Sequence, residues 1–184
     1  MQEYLDETFK NKTEIEKAEY ENCQFIDCNF EKANISNSVF IDCVFENCNL
    51  SNTVSQNASL KTVVFKNCKM LGFMFSDCNE FLMSVTFTDC QLNYASFYKL
   101  SLKNTKFENC NLQEVDYTET DLTGSVFNNC ELNRVVFQNT NLQKSDFRTS
   151  HNYSINPNEN RIKNAKFSLE GVRGLLDVFG VEIE

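Results

Sequence analysis

The sequence predicts an all-β solenoid, a chain wound into four-sided coils that stack on one another. Three observations predict it. Large apolar residues recur at nearly every fifth position from Ile15 to Phe147. A small residue sits two places before most of them, as Cys23, Ala33, Ser38 and Cys48 show. Cysteines repeat every twenty residues, at Cys28, Cys48 and Cys68 and again at Cys90, Cys110 and Cys130. A period of five is neither the roughly 3.6 residues of a helix nor the two of a flat strand. So short a repeat buries no core alone, and must wind until successive coils cover one another.

The large residues run Ile15, Tyr20, Phe25, Phe30, Ile35, Phe40, Phe45 and Leu50, lapse at Ser55, and continue as Leu60, Phe65, Met70 and Phe75. After a slip of two residues they resume at Leu82 and Phe87 and hold to Phe147. Two inward positions in five require about 40% apolar residues, and the chain has 41%. The twenty-residue cysteine period makes four five-residue sides per coil. Phe25, Phe45, Phe65, Phe87, Phe107, Phe127, Phe147 and Phe167 then form one column and the six cysteines another. Coils joined by strand-type hydrogen bonds lie about 4.8 Å apart, so the rings of the Phe column stack in offset fashion.

Taken in order, residues 1–12 read as an N-terminal cap, irregular or of short strands, using Leu5 and Phe9. Residues 13–167 form about seven to eight coils. One Pro and five Gly suit corners that need few left-handed residues. Between Phe75 and Leu82 one repeat has seven residues, and this reads as a bulge that restores the register. Glu80 falls where a core residue belongs, and Phe81 and Met83 flank it as apolar residues on the surface. The polar stretch 148–161 keeps the five-residue phase and reads as a distorted side of the last full coil. Its His151 has no neighbouring nucleophile or ligand set and reads as a surface histidine. In the tail 168–184, Ser168 caps an α-helix over 169–179 and Gly180 stops it. Val181-Glu182-Ile183 follows as a short strand. Gly171 and Gly174 weaken that helix, so packing must hold it.

The pattern small–Asn/Asp–Leu/Phe–polar–polar resembles the pentapeptide-repeat family. Ala33-Asn34-Ile35-Ser36-Asn37, Cys48-Asn49-Leu50-Ser51-Asn52, Cys110-Asn111-Leu112-Gln113-Glu114 and Thr120-Asp121-Leu122-Thr123-Gly124 carry the resemblance. It implies a right-handed quadrilateral β-helix. The tail resembles the C-terminal helix and strand that mediate dimerisation in the Qnr and MfpA branch, whose long projecting loops this chain lacks. Val172, Leu175, Leu176, Val178 and Phe179 exceed what one helix face can bury, so a homodimer through the tail is expected.

The cysteines are the most chemical-looking residues, and their positions assign them to the core as small hydrophobes. Stacked thiols point in parallel, while a disulfide needs β-carbons that converge to roughly 3.8 Å. A straight ladder does not surround a zinc ion tetrahedrally, and there is no Cys-x-x-Cys pair. No metal and no cofactor are expected. Nor is an enzyme, because no catalytic triad, phosphate loop or paired buried carboxylates appear.

Net charge is −9 and falls in bands. Residues 1–60 carry −7, 61–106 carry +3, 107–131 carry −6, 132–173 carry +4 and 174–184 carry −3. Direct nucleic-acid binding needs a continuous basic surface, which this order excludes. No apolar run is long enough to span a membrane and no signal peptide is visible at Met1-Gln2-Glu3-Tyr4, so a cytoplasmic location is expected. The expected function is a rigid rod that binds a protein partner the sequence does not identify. The resemblance implies an alternative, a DNA mimic that modulates a type II topoisomerase such as DNA gyrase or topoisomerase IV and confers fluoroquinolone tolerance. Glu114, Asp116, Glu119 and Asp121 are the candidate acidic patch for that role. Glu80, Phe81 and Met83 are the candidate loop.

Overall fold

The structure, a computed structural model, describes residues 1–182. Each side of the coil is one five-residue unit whose chemistry explains its sequence. In Ala33-Asn34-Ile35-Ser36-Asn37, Ile35 is buried and the Asn34 side-chain oxygen accepts the Ser36 N–H at 2.9 Å. This Asx turn bends the chain at the corner. The Ser38 N–H then donates to the Ile35 carbonyl at 3.0 Å and closes the turn. Asn37 completes it with a left-handed φ of 58°. The same Asx turns recur at Asn111, Asp116 and Asp121.

The corners overturn the expectation of few left-handed residues. Among the described residues 26 other than Gly have positive φ, most of them Asn or Asp. Those two residue types tolerate the conformation because a short polar side chain bonds locally. The low glycine content therefore reflects the abundance of Asn, and not an absence of left-handed corners.

The described residues form eleven short strands: β1 (Gln2–Leu5), β2 (Thr8–Lys10), β3 (Ala18–Glu21), β4 (Gln24–Ile26), β5 (Val39–Ile41), β6 (Val44–Glu46), β7 (Ser59–Lys61), β8 (Val63–Lys66), β9 (Val85–Thr88), β10 (Lys106–Glu108) and β11 (Val126–Asn128). Strands β1, β3, β5 and β7 build a four-stranded sheet, and the others a seven-stranded one. All pairings are parallel, as coil-on-coil stacking requires. Seven strands make about six regular turns, against the seven to eight expected. Beyond β11 the ladder continues only as isolated bridges, Val126 to Asp146 and Asp146 to Lys166.

The Phe column is as expected, and Phe9 extends it by one ring. From Phe9 to Phe167 successive rings lie 4.5–5.5 Å apart with planes within 20° of parallel. A second stack runs through Phe75, Phe97, Tyr117 and Phe137 at 4.4–5.6 Å. Rings of the two stacks meet edge to face, for example Phe97 with Phe107 at 83°. Each such pair contributes about 0.5–1.5 kcal/mol beyond its buried area.

All nine cysteines are buried with free thiols. The Cys48 thiol donates to the carbonyls of Phe25, one coil back, and Glu46, each at 3.3 Å. Cys43, Cys68, Cys90 and Cys130 repeat that pairing. Burial pushes the Cys43 thiol up to about 11 and Cys78 to about 12.

Four sequence expectations are corrected: the inward place of Leu5, the core place of Leu82, the C-terminal α-helix and the strand after it. Leu5 is exposed, and Tyr4 takes the inward place on the first rung, stacked on Tyr20 at 5.1 Å. Leu82 is not a core residue, since it sits at a left-handed corner and is exposed. The stretch 148–161 contributes Tyr153 and Ile155 to the core, and its Asn160 donates to the Phe137 carbonyl at 2.9 Å in place of a small residue's contact. The C-terminal α-helix is instead two 3-10 turns, Gly171–Leu175 and Asp177–Phe179. Gly171 and Gly174 lie so close to Tyr153 that neither position has room for a β-carbon, and this contact fixes the path of the turns. Ser168 accepts the Gly171 N–H at 2.9 Å, and Gly180 ends the segment at φ 60°. Val181 and Glu182 form no strand, and Ile183 lies outside the described residues. Among the described residues no helix is long and apolar enough to cross a membrane.

Candidate functional surface

The core takes up all nine cysteines, so the outward positions carry the remaining groups that could bind or react. Among the described residues no group of three His, Cys, Asp or Glu side chains is placed to hold a metal ion. A cavity of about 430 Å³ lies at the N-terminal end, against Tyr4, Phe9, Ile15 and Tyr20. It is the open mouth of the first coil.

The slip is located by its pairing. Asn79 bridges Ser59 and Val85 pairs with Val63, so the two extra residues lie between Asn79 and Val85, and the left-handed corner of Leu82, matching that of Thr62, puts them after Leu82. They are Met83 and Ser84. The Ser84 N–H donates to the Leu60 carbonyl at 3.0 Å, and the Ser84 carbonyl accepts from Val63 at 2.8 Å. The insertion is thereby built into the ladder. It has a packing reason: Glu80 turns outward from a core position, and Met83 packs against the core in its stead. Phe81 and Leu82 are left outside, 68% and 65% exposed.

The lapse at Ser55 is also accommodated. Its hydroxyl donates to the Met74 carbonyl at 2.9 Å. In the next coil Phe73, at a position that elsewhere holds a small residue, is fully buried against Phe75 at 4.5 Å.

The four candidate acids of the 107–131 band, Glu114, Asp116, Glu119 and Asp121, do not form a free patch. Lys99 lies 3.6 Å from Glu119, Lys103 is 3.4 Å from Asp121, and Arg134 is 3.8 Å from Glu114. Asp116 accepts the Thr118 N–H at 2.9 Å. Partial burial opposes ionisation of Asp121. Hydrogen bonds from Thr123 and the charge of Lys103 outweigh it and hold the carboxyl below its ordinary value. The Lys99 ammonium sits 4.8 Å over the Tyr98 ring. Tyr98 and Glu119 raise its pKa. Exposed pairs of this kind contribute about 0–1 kcal/mol each. Each of the three joins an acid to a base of a neighbouring coil.

In the tail, Leu175 packs against its own chain's core. Val172, Leu176, Val178 and Phe179 are 36–52% exposed.

The sequence reading passed over further outward apolar residues. Val54, Met74, Tyr94 and Tyr98 are each at least 38% exposed. Their signal was available as large side chains on the outward places of the repeat.

Comparison with known proteins agrees with this architecture. The family described as pentapeptide repeat region matches residues 42–117 and 100–172. A second description, pentapeptide repeats (8 copies), matches residues 23–54. No curated protein sequence matches the chain significantly. Among solved structures, a trypsin-treated variant of QnrB1, a plasmid-mediated fluoroquinolone resistance protein, superimposes with a TM-score of 0.67 at 18% identity. That match covers 100% of this chain and 98% of the other. Full-length QnrB1 gives a TM-score of 0.61 at 18% identity over 97% and 100% of the two chains. HetL, involved in heterocyst differentiation regulation in the cyanobacterium Nostoc, matches at a TM-score of 0.39 and 12% identity over 89% and 84%. The QnrB1 likeness is one of fold, and HetL's is too loose to carry an argument. The five-residue units, their parallel stacking and the two family matches lead to one conclusion: the chain belongs to the pentapeptide-repeat family.

Proposed function

We propose that the protein is a non-enzymatic, rigid rod that binds a protein partner through its outward faces. The observation that carries this reading is the division of labour between core and surface. Stacked aromatic rings and buried thiols absorb the interior, and the corners fix outward side chains at every fifth residue. A surface held that way binds without reordering itself, which lowers the cost of association.

The same reading includes a homodimer through the tail, supported by the exposed Val172, Leu176, Val178 and Phe179. A topoisomerase modulator that mimics DNA has less support. Duplex DNA carries about one charge per 1.7 Å of axis, whereas three of the four acids in the candidate patch are neutralised by bases of flanking coils.

The test has two parts. The tagged full chain is used to isolate a complex from its native extract, and the complex is reconstituted from purified components. A partner that binds at micromolar protein or below supports the rod. Purified protein is also added to a gyrase supercoiling assay. Inhibition there, without any other stable partner, would replace the proposed reading with the mimic.

A further inference from the structure

We propose that the corner carrying Phe81 and Leu82 docks an acidic segment of a partner protein, which lays an apolar side chain against these two residues. The inference rests on the protein-binding reading and names its site and chemistry.

Phe81 and Leu82 are more exposed than any other large apolar side chain described between Leu5 and Leu169. They sit at the one place where the repeat takes two extra residues. Folding gives no reason for Leu82. Its φ is 59°, and among the described non-Gly residues of positive φ it is the only one with an aliphatic side chain. Leu disfavours that conformation, which Asn or Gly adopts readily. An exposed apolar side chain held in a disfavoured backbone is a feature of binding sites.

Charge says what covers it. Lys61 ends β7 one coil back on the same side, two residues beyond the Ser59 that bridges Asn79. On the adjoining sheet Lys66 pairs with Thr88 of β9, and Lys106 precedes the Phe107 that pairs with Phe87. Among the described residues Lys61, Lys66 and Lys106 have no carboxylate within 4.0 Å. Glu80 is the one acid next to the pair, and the 61–106 belt has a net charge of +3. Acidic bands of −7 and −6 flank that belt. They repel a phosphate backbone that runs past it, so the site suits a short acidic peptide and not a nucleic acid.

The experiment is fluorescence anisotropy on the full chain. The probe is a labelled ten-residue peptide, rich in Asp and Glu, with a central Leu-Phe pair. Controls are the same core flanked by Lys and a single-stranded oligonucleotide. The acidic peptide should bind with a Kd of about 1–100 µM, and Phe81→Ser combined with Leu82→Asn should weaken it by about tenfold or more. Leu82→Asn alone should weaken binding while raising Tm, a pairing that a structural role for Leu82 would not produce. Unchanged affinity in the double variant, no binding by the parent, or equal binding of either control overturns the proposal. A purified natural partner held equally by the parent and the double variant would also overturn it and leave the rod reading standing. Failure of the parent to hold any partner would instead remove the rod reading.

Discussion

The Asn109 side-chain amide donates to Oδ1 of Asp89, one coil back, at 2.9 Å. Asn129 donates to Asn109 in turn at 3.0 Å. A second run on the same corner goes from Asn67 to Asn47 at 2.8 Å and from Asn47 to Asp27 at 3.0 Å. Each run begins on an aspartate, which accepts but does not donate. The ladder is therefore interrupted between Asn67 and Asp89.

Asp89→Asn supplies the missing donor and keeps a residue that tolerates the left-handed corner. It should stabilise the protein by about 0.5–1 kcal/mol. A urea midpoint that rises with an unchanged slope would show it. A fall in the midpoint would mean that the ladder bonds do not contribute.

Tyr117 is fully buried in the second aromatic stack, and its hydroxyl has no partner. Removing a buried, unpaired hydroxyl relieves its desolvation cost. Tyr117→Phe should therefore gain about 1 kcal/mol and raise Tm by roughly 2–4 °C. Loss of stability would point to a bound water or an altered packing at that hydroxyl.

Burial of the cysteines predicts resistance to thiol reagents, and two of them outside the six-residue ladder, Cys43 and Cys78, predict sensitivity to alkali. In the folded state burial pushes the Cys43 thiol up to about 11 and the Cys78 thiol up to about 12. An unfolded cysteine titrates at about 8.5. The unfolded chain thus loses these protons first as pH rises, so stability falls between about 8.5 and 12. Thermal unfolding from pH 7 to 10 should show Tm declining above about 8.5, and Ellman's reagent should modify the cysteines only on unfolding. Rapid modification of the native protein would contradict the burial of the ladder.

These properties were legible in the sequence to different degrees. The Phe column and the cysteine ladder follow directly from spacing, because a stacked coil repeats each inward position in register. Leu82 was misread for the same reason. The five-residue phase counts positions and does not see that Glu80 has turned outward with Met83 replacing it. Tyr153 and Ile155 were hidden among polar residues, since they are set by contact with Gly171 and Gly174 rather than by the repeat. The acidic cluster was legible as residues but not as a surface. Its partners Lys99, Lys103 and Arg134 lie about twenty residues away along the chain and come near only through stacking.

The tail gives a prediction about mass. Leu176 is 37% exposed and contributes little to its own chain's core. Leu176→Glu should halve the mass measured by light scattering and leave Tm at low concentration nearly unchanged. A parent chain that is already monomeric, or a variant of unchanged mass, would count against the dimer.

Photo-crosslinking in living cells tests the central claim most directly. A benzophenone amino acid is placed at one outward position on each of the four sides, such as Lys61, Lys66, Asn93 and Gln138. The rod reading predicts a discrete heavier band from at least one side and none from an unrelated control protein carrying the same label. The absence of a crosslink from all four sides would contradict it.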